Sequence, residues 1–282
     1  MRDGRPSWHW WWVALALPVL LGPGVFWLAH ALADRPGAPS WLEEATFARV
    51  FQRLLMAGAL GVGVPWFYRR GVRDRVALGL AGDRMGRQFV FGLCVGVVVA
   101  SAQLGVQLAC GAREWEPDSG WGGLAAAGGS GLMAAMIEEV LFRGALLGVL
   151  VRAMGVGWAV ALQAAVYATV HFLKPPGFGE GYGVHWGSGF ALLAAVPGHI
   201  FGGVGEVARW VLLALLGCAL GVMAVRQRHI GWCVGFHAAL AAGALAVPRL
   251  TDYEGGAWRV LCPKDPSAGI DGVVLMAVVL CL

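Results

Sequence analysis

The sequence predicts an all-α membrane protein, a polytopic transmembrane bundle of about eight helices. Of its 282 residues, 58% are hydrophobic and only 13% are charged, whereas soluble domains are about 25% charged. The apolar residues form long uncharged runs, separated by short loops that hold most of the Arg, Asp, Glu and Pro. Because a hydrocarbon core is crossed by about 20 apolar residues, these runs predict membrane-spanning helices.

Eight apolar runs are long enough to be membrane spans. A ninth stretch, 186–204, is apolar but interrupted by Pro197 and several glycines, so we expect it to be re-entrant or partly embedded. No internal repeat or linker is visible, which predicts a single domain over 1–282. The expected spans are 8–33, 47–68, 89–111, 122–151, 156–173, 207–226, 230–248 and 268–282.

The distribution of charge predicts how the chain is oriented. The loops 69–88 and 226–229 are rich in Arg, and such loops stay cytoplasmic, whereas the loops 34–46 and 112–120 are mainly acidic. We therefore expect a multi-pass protein of the inner cell membrane with both termini cytoplasmic. The only dense basic cluster is a short loop between spans, which argues against nucleic-acid binding. The six cysteines form no CxxC pair and are expected to act as small hydrophobes.

The fourth span carries charges where most spans avoid them. It contains Glu138, Glu139 and Arg143, and an ionisable side chain at membrane depth costs about 2.5–3.5 kcal/mol. Glu139 and Arg143 are one turn apart in the favourable order for an ion pair. Glu138 lies about 100° further round the helix, so Arg143 cannot serve both carboxylates well. Glu138 is therefore the candidate general base.

Two histidines in later spans are candidates to join Glu138. His171 lies in the fifth span, and counting residues from the turn near 152–155 places Glu138 and His171 at roughly 21 and 24 Å along their helices. His237 lies in the seventh span, about 10 Å from its expected inner end, so its depth fits less well. Either histidine could instead be a packing residue.

These segments resemble the CAAX-protease and bacteriocin-processing family, also called Abi or CPBP, which includes the type II CAAX prenyl endopeptidases. Glu138, Glu139 and Arg143 match its Glu-Glu-x-x-x-Arg motif, and Tyr167 with His171 matches aromatic-x-x-x-His. His237 matches the first position of His-x-x-x-Asn or Asp, but Ala241 stands at the last. The resemblance covers about residues 85–250.

The resemblance implies an eight-span helical fold with an internal polar cavity and an intramembrane endopeptidase activity. If the family's residue roles apply at the matching positions, Glu138 would activate water and His171 would position it or stabilise the oxyanion. His237 would complete the polar site. Glu139 and Arg143 would fix the geometry, with Tyr167 in support. The expected partners are the lipid bilayer and a membrane-bound protein or peptide substrate, lipidated in some relatives.

Alternatives remain open at this point. No cofactor is expected, yet Glu138, His171 and His237 could also hold zinc with an open fourth position. A non-catalytic scaffold or immunity-type protein of the same fold is a second hypothesis, strengthened by Ala241. A small proton-coupled transporter is a third, because buried Glu and His also relay protons.

Overall fold

The protein is almost entirely helical in the computed structural model. Its described residues include one two-stranded antiparallel ribbon, formed by β1 (Arg113–Trp115) and β2 (Thr251–Tyr253). The structure describes residues 9–43, 45–63, 79–80, 82–116, 121–174, 183–255, 262, 264–265 and 270–281.

The described helices follow the apolar runs of the sequence closely. A π-helical turn, Ala59–Gly63, continues α3, and a π-helix, Val140–Leu146, joins α5 to α6. The α-helices are α1 (His9–Ala33), α2 (Ser40–Glu43), α3 (Phe47–Gly58), α4 (Met85–Ala109), α5 (Trp121–Glu139), α6 (Leu147–Met154), α7 (Val156–Val170), α8 (Ser188–Ile200), α9 (Val204–Gln227), α10 (Gly231–Leu250) and α11 (Ile270–Cys281).

The chain divides into two compact units. Residues 1–73 and 169–202 form the first, and residues 74–168 and 203–282 form the second. In the first unit, α8 approaches α1 so closely that a Cβ on Gly189 would lie 2.8 Å from the Cα of Val19. Phe26 of α1 packs edge-on against Phe47 of α3. The absence of a side chain at Gly189 and the contact between two aromatic rings thus let these helices pack tightly.

Helix α10 is the centre of the second unit. Every residue from Gly231 to Ala239 is buried. It runs parallel to α4, because a Cβ on Gly231 would meet Met85 and one on Gly235 would meet Phe89. This pairing brings the ends of α4 and α10 together, where β1 and β2 continue them as a ribbon.

Helix α5 packs against α10 in the opposite direction. A Cβ on Gly131 would lie 2.6 Å from the backbone nitrogen of Ala242, while Glu139 further along α5 contacts His237 earlier in α10. Small residues at these crossings bring the backbones close, as is common in membrane helices. The approach places the end of α5 beside the buried first half of α10.

The observed helices bear out the expected class, a helical membrane bundle. Four are long and apolar enough to cross a membrane: Leu15–Ala33, Met85–Ala109, Val204–Gln227 and Gly231–Leu250. Helix α8 has 13 residues, and the expectation that 186–204 is re-entrant or partly embedded stays a prediction. The number of eight spans and the single domain stay predictions.

Part of the predicted basic loop lies outside the described residues. This holds for Arg69, Arg70, Arg73 and Arg75, and for most of the proposed surface segment around them, whereas Arg84 and Arg87 are described. The predicted turn between the fourth and fifth spans is observed. Gly155 separates α6 from α7 with a φ of 78°, a conformation that glycine adopts at no steric cost.

Candidate functional site

The two adjacent acids stand where α5 changes into a π-helix. Glu138 and Glu139 are its last two residues, and the π-helix Val140–Leu146 contains Arg143. A π-helical turn inside an α-helix is rare and occurs frequently at functional sites. The change in winding therefore marks this point independently of the charges.

Glu139 and Arg143 form the ion pair that their spacing predicts. Arg143 Nη1 donates to Glu139 Oε1 over 2.7 Å, and both side chains are fully shielded from solvent. The guanidinium also lies over the ring of Tyr167, 4.5 Å from its centroid. Tyr167 in turn packs edge-on against Phe142. A charge in this environment is stabilised by both the carboxylate and the aromatic face.

His237 connects the ion pair to the second acid. Its Nδ1–H donates to Glu139 Oε1 over 2.8 Å, which leaves Nε2 with a lone pair when the ring is neutral. That nitrogen lies 3.3 Å from the Tyr167 hydroxyl, which can donate to it, and 3.8 Å from Oε2 of Glu138. One imidazole thus joins Glu138, Glu139 and Tyr167.

The two carboxylates differ in their surroundings. The side chain of Glu139 is fully buried, and its Oε1 already accepts from two donors. The side chain of Glu138 is 20% exposed and lies on the Nε2 side of His237, where it also interacts with Tyr167. Glu138 is thus the more accessible of the two acids, although its Oε2 atom is itself buried.

Sequence comparison agrees with this geometry. Residues 120–243 match the Rce1-like family of type II CAAX prenyl endopeptidases. The match confirms the resemblance drawn from the motifs, over a narrower range than 85–250, and it includes every candidate site residue. No match was found among curated proteins or among solved structures. With the apolar helices, the match identifies an integral membrane protein with a CAAX protease-like region.

Five of the six predicted site residues of this Rce1-like region lie together in the second unit. The sixth, His171, directly follows α7 and belongs to the first unit, so its meeting with Glu138 stays a prediction. Ala241, where the motif has Asn or Asp, lies one turn beyond His237 in α10.

Sequence reasoning missed two features of the Rce1-like region. It did not foresee that Glu139 holds His237, and it did not single out Gln163. Gln163 is fully buried in α7, one turn before Tyr167, and neither of its amide atoms has a hydrogen-bond partner among the described residues. Its polar character within an apolar helix was the available signal.

The donor set fits zinc only in part. Within the second unit, Glu138 and Nε2 of His237 could each bind a metal, because Nδ1 is already held by Glu139. Catalytic zinc sites use three protein ligands, and His171, the third expected ligand, lies in the other unit. Across the described residues, no three His, Cys, Asp or Glu side chains are arranged to hold a metal ion. The described residues of the second unit therefore do not by themselves form a catalytic zinc site.

Proposed function

We propose that the protein is an intramembrane endopeptidase that cleaves a peptide bond of a membrane-associated protein or peptide with water activated by Glu138. One observation carries the proposal: Glu138 Oε2 lies 3.8 Å from Nε2 of an imidazole whose other nitrogen is bound to a buried carboxylate. This is too long for a direct hydrogen bond. A water molecule placed beside both atoms could hydrogen-bond to each.

The proposed reaction begins with proton transfer to Glu138. Its carboxylate removes a proton from the water, whose oxygen attacks the carbonyl carbon of the scissile bond. The tetrahedral oxyanion would need a hydrogen-bond donor, a role that the family resemblance assigns to His171. Glu138 then gives its proton to the leaving nitrogen as the C–N bond breaks, which returns the enzyme to its starting state.

Glu139 and Arg143 would position His237 rather than react. Arg143 neutralises Glu139, and Glu139 holds the Nδ1–H of His237, so Nε2 stays directed to Glu138 and Tyr167. A carboxylate orients and stabilises a catalytic imidazole in this way in hydrolases with a Ser-His-Asp triad. Tyr167 would fix the other side of the ring through its hydroxyl.

The proposed activity implies a location in the membrane and a membrane-associated substrate. We place the protein in the inner cell membrane as a multi-pass protein with cytoplasmic termini, acting on peptides that carry a lipid or a membrane helix and not on nucleic acid. No cofactor is required by the reaction above. A metal requirement is the alternative, and loss of cleavage with a chelator, restored by added zinc, would support it.

The deciding experiment compares Glu138→Gln with wild type in proteoliposomes. A library of quenched fluorescent peptides, with and without a prenyl group, should be cleaved by wild type. The variant should be slower by about 10²–10⁴-fold. Glu116→Gln makes the same chemical change at an exposed residue beyond β1 and should cleave like wild type. Equal cleavage by Glu138→Gln and wild type would end the proposal.

Ala241 favours a second candidate, a scaffold or immunity-type protein that keeps the fold without turnover. The family motif places Asn or Asp at this position, one turn from His237, and the methyl group of Ala241 cannot form a hydrogen bond. A scaffold would show no cleavage of any peptide by wild type, while a photo-crosslinking peptide would still bind, and bind equally well to Glu138→Gln.

A further inference from the structure

Two thiols meet at the end of the second unit that is remote from Glu138. Cys110 follows the last residue of α4, and Cys262 lies 152 positions later, yet their sulfur atoms are 3.9 Å apart. A disulfide has an S–S distance of about 2.04 Å. The two sulfur atoms would have to approach each other by about 1.9 Å to form this bond. The pair is therefore placed for a covalent bond.

Buried polar contacts hold both segments in place. Arg113, just beyond Cys110, is 3% exposed. Its guanidinium donates to Gln107 Oε1 over 2.8 Å, to Thr251 Oγ1 over 3.1 Å and to the carbonyl of Lys264. Burial lowers the pKa of Arg113, although a guanidinium still keeps its charge. These contacts join Arg113 to the end of α4, to the start of β2 and to Lys264, two residues beyond Cys262.

The same end of the unit is anchored at two further points. Gln107 Nε2 donates to Asp271 Oδ2 at the start of α11 over 2.7 Å. Arg209 near the start of α9 lies 3.7 Å from Asp265. Lys264 and Asp265, close to Cys262 in sequence, are thus held by Arg113 and by Arg209 of α9.

Charge assigns this end to the outside of the membrane. The ribbon end is mainly acidic, with Glu114, Glu116, Asp252 and Glu254. Helices α4 and α10 start at the opposite end, which carries Arg84, Arg87, Arg226 and Arg228. Arginine-rich ends of spans stay cytoplasmic, as the proposed orientation requires. The outer side of a cell membrane is an oxidising environment, where disulfides persist.

We propose that Cys110 and Cys262 form a disulfide that ties the outer end of α4 to the segment before α11. The oxidant is the disulfide of a thiol–disulfide oxidoreductase. The Cys110 thiolate attacks one sulfur of the oxidant, which forms a mixed disulfide and releases the first thiol. The Cys262 sulfur then attacks the Cys110 sulfur, and its proton passes to the oxidant sulfur that leaves as the second thiol. Two S–H bonds break and one S–S bond forms, while two electrons and two protons reduce the oxidant to its dithiol.

The two cysteines take different parts in this exchange. Cys262 is 3% exposed, and burial, followed by the nearby Asp271, raises the pKa of its thiol to about 12. It therefore stays protonated at neutral pH. Cys110 is only half-buried, so it is the sulfur that the oxidant reaches first. The finished bond would enclose α5 to α10, and with them every candidate site residue in the second unit.

Peptide mapping of the full-length protein tests this proposal without any activity assay. Protein made in cells with an oxidising outer compartment is alkylated before reduction and digested. Wild type should yield a linked peptide pair containing Cys110 and Cys262. Cys110→Ser and Cys262→Ser should each lose it. Cys94→Ser, which removes an exposed thiol of α4, is the matched control and should keep it.

Thermal unfolding supplies a second readout. A reductant should lower the Tm of wild type and of Cys94→Ser by about 5 °C or more, because it opens a long loop. It should leave the Tm of Cys110→Ser unchanged. Recovery of both cysteines as alkylated thiols from unreduced wild type would overturn the proposal, as would an equal Tm with and without reductant. In reduced vesicles, a membrane-impermeant thiol reagent should label Cys110 from the outer side. Labelling only from the cytoplasmic side would overturn the proposal, because it would place Cys110 in a reducing compartment.

Discussion

Replacing Glu139 with Gln should destabilise the protein strongly, because it leaves a buried guanidinium without its carboxylate. Both side chains are completely shielded, and their ion pair rests on one contact of 2.7 Å. Arg143 Nε and Nη2 make no hydrogen bond to any described residue. Removing one partner of such a pair costs about 3–5 kcal/mol, which corresponds to a fall in Tm on the order of 10 °C. Gln keeps the shape, so the loss reports charge and not packing.

A double-mutant cycle separates this charge effect from catalysis. Arg143→Met alone should cost less, about 3 kcal/mol, because His237 still donates to Glu139. The double variant should recover at least about 2 kcal/mol relative to the sum of the single effects. Its cleavage rate should nevertheless stay about 10²-fold or more below wild type, since His237 no longer has an anionic partner.

The assay is thermal unfolding in one detergent, followed by peptide cleavage at a temperature where every variant is folded. Glu116→Gln, an exposed carboxylate, serves as the control and should change the free energy of unfolding by less than about 0.5 kcal/mol. Strictly additive stability effects, or a fully active Glu139→Gln, would refute the view that Glu139 joins Arg143 to His237.

Three further substitutions probe the site and its packing. Tyr167→Phe should keep the Tm within about 2 °C but slow cleavage about tenfold, measured by kcat on a reporter peptide. Gly235→Ala should sharply reduce the yield of monodisperse protein, because its Cβ would collide with the carbonyl of Phe89, whereas Gly128→Ala points into open space and should not. Ala241→Asn should raise kcat about tenfold if the missing amide supports the oxyanion, and an unchanged kcat would argue against that role.

The helical framework could be predicted because lipid imposes a strong local rule. Every membrane span needs a long apolar run, and the runs 122–151 and 156–173 correspond closely to the observed helices from Trp121 to Met154 and from Val156 to Val170. The turn expected near 152–155 lies at Gly155 between these helices. The Glu139–Arg143 pair was predictable for a similar reason, since it depends only on spacing within one helix.

The partner of His237 could not be predicted in this way. Counting residues placed His237 about 11 Å from the level of Glu138, because the count treats each span as a straight α-helix that starts at the membrane surface. The observed level depends on how α10 packs against α5, through contacts such as Gly131 with Ala242. It also depends on a π-helix at Val140–Leu146. Neither feature has a signature within one segment of sequence.

The packing of α10 also helps to decide which acid does chemistry. A carboxylate that already neutralises Arg143 and accepts from His237 through the same oxygen is a poor base, because protonating it would break two charge-assisted bonds at once. Protonation of Glu138 would not break the ion pair with Arg143, which Glu139 forms. The side chain of Glu138 is also partly exposed, and it lies beside Nε2 of His237, the nitrogen that does not bind Glu139. We therefore propose different roles for the two adjacent acids: Glu139 would set the tautomer of the imidazole, and Glu138 would take the proton from water.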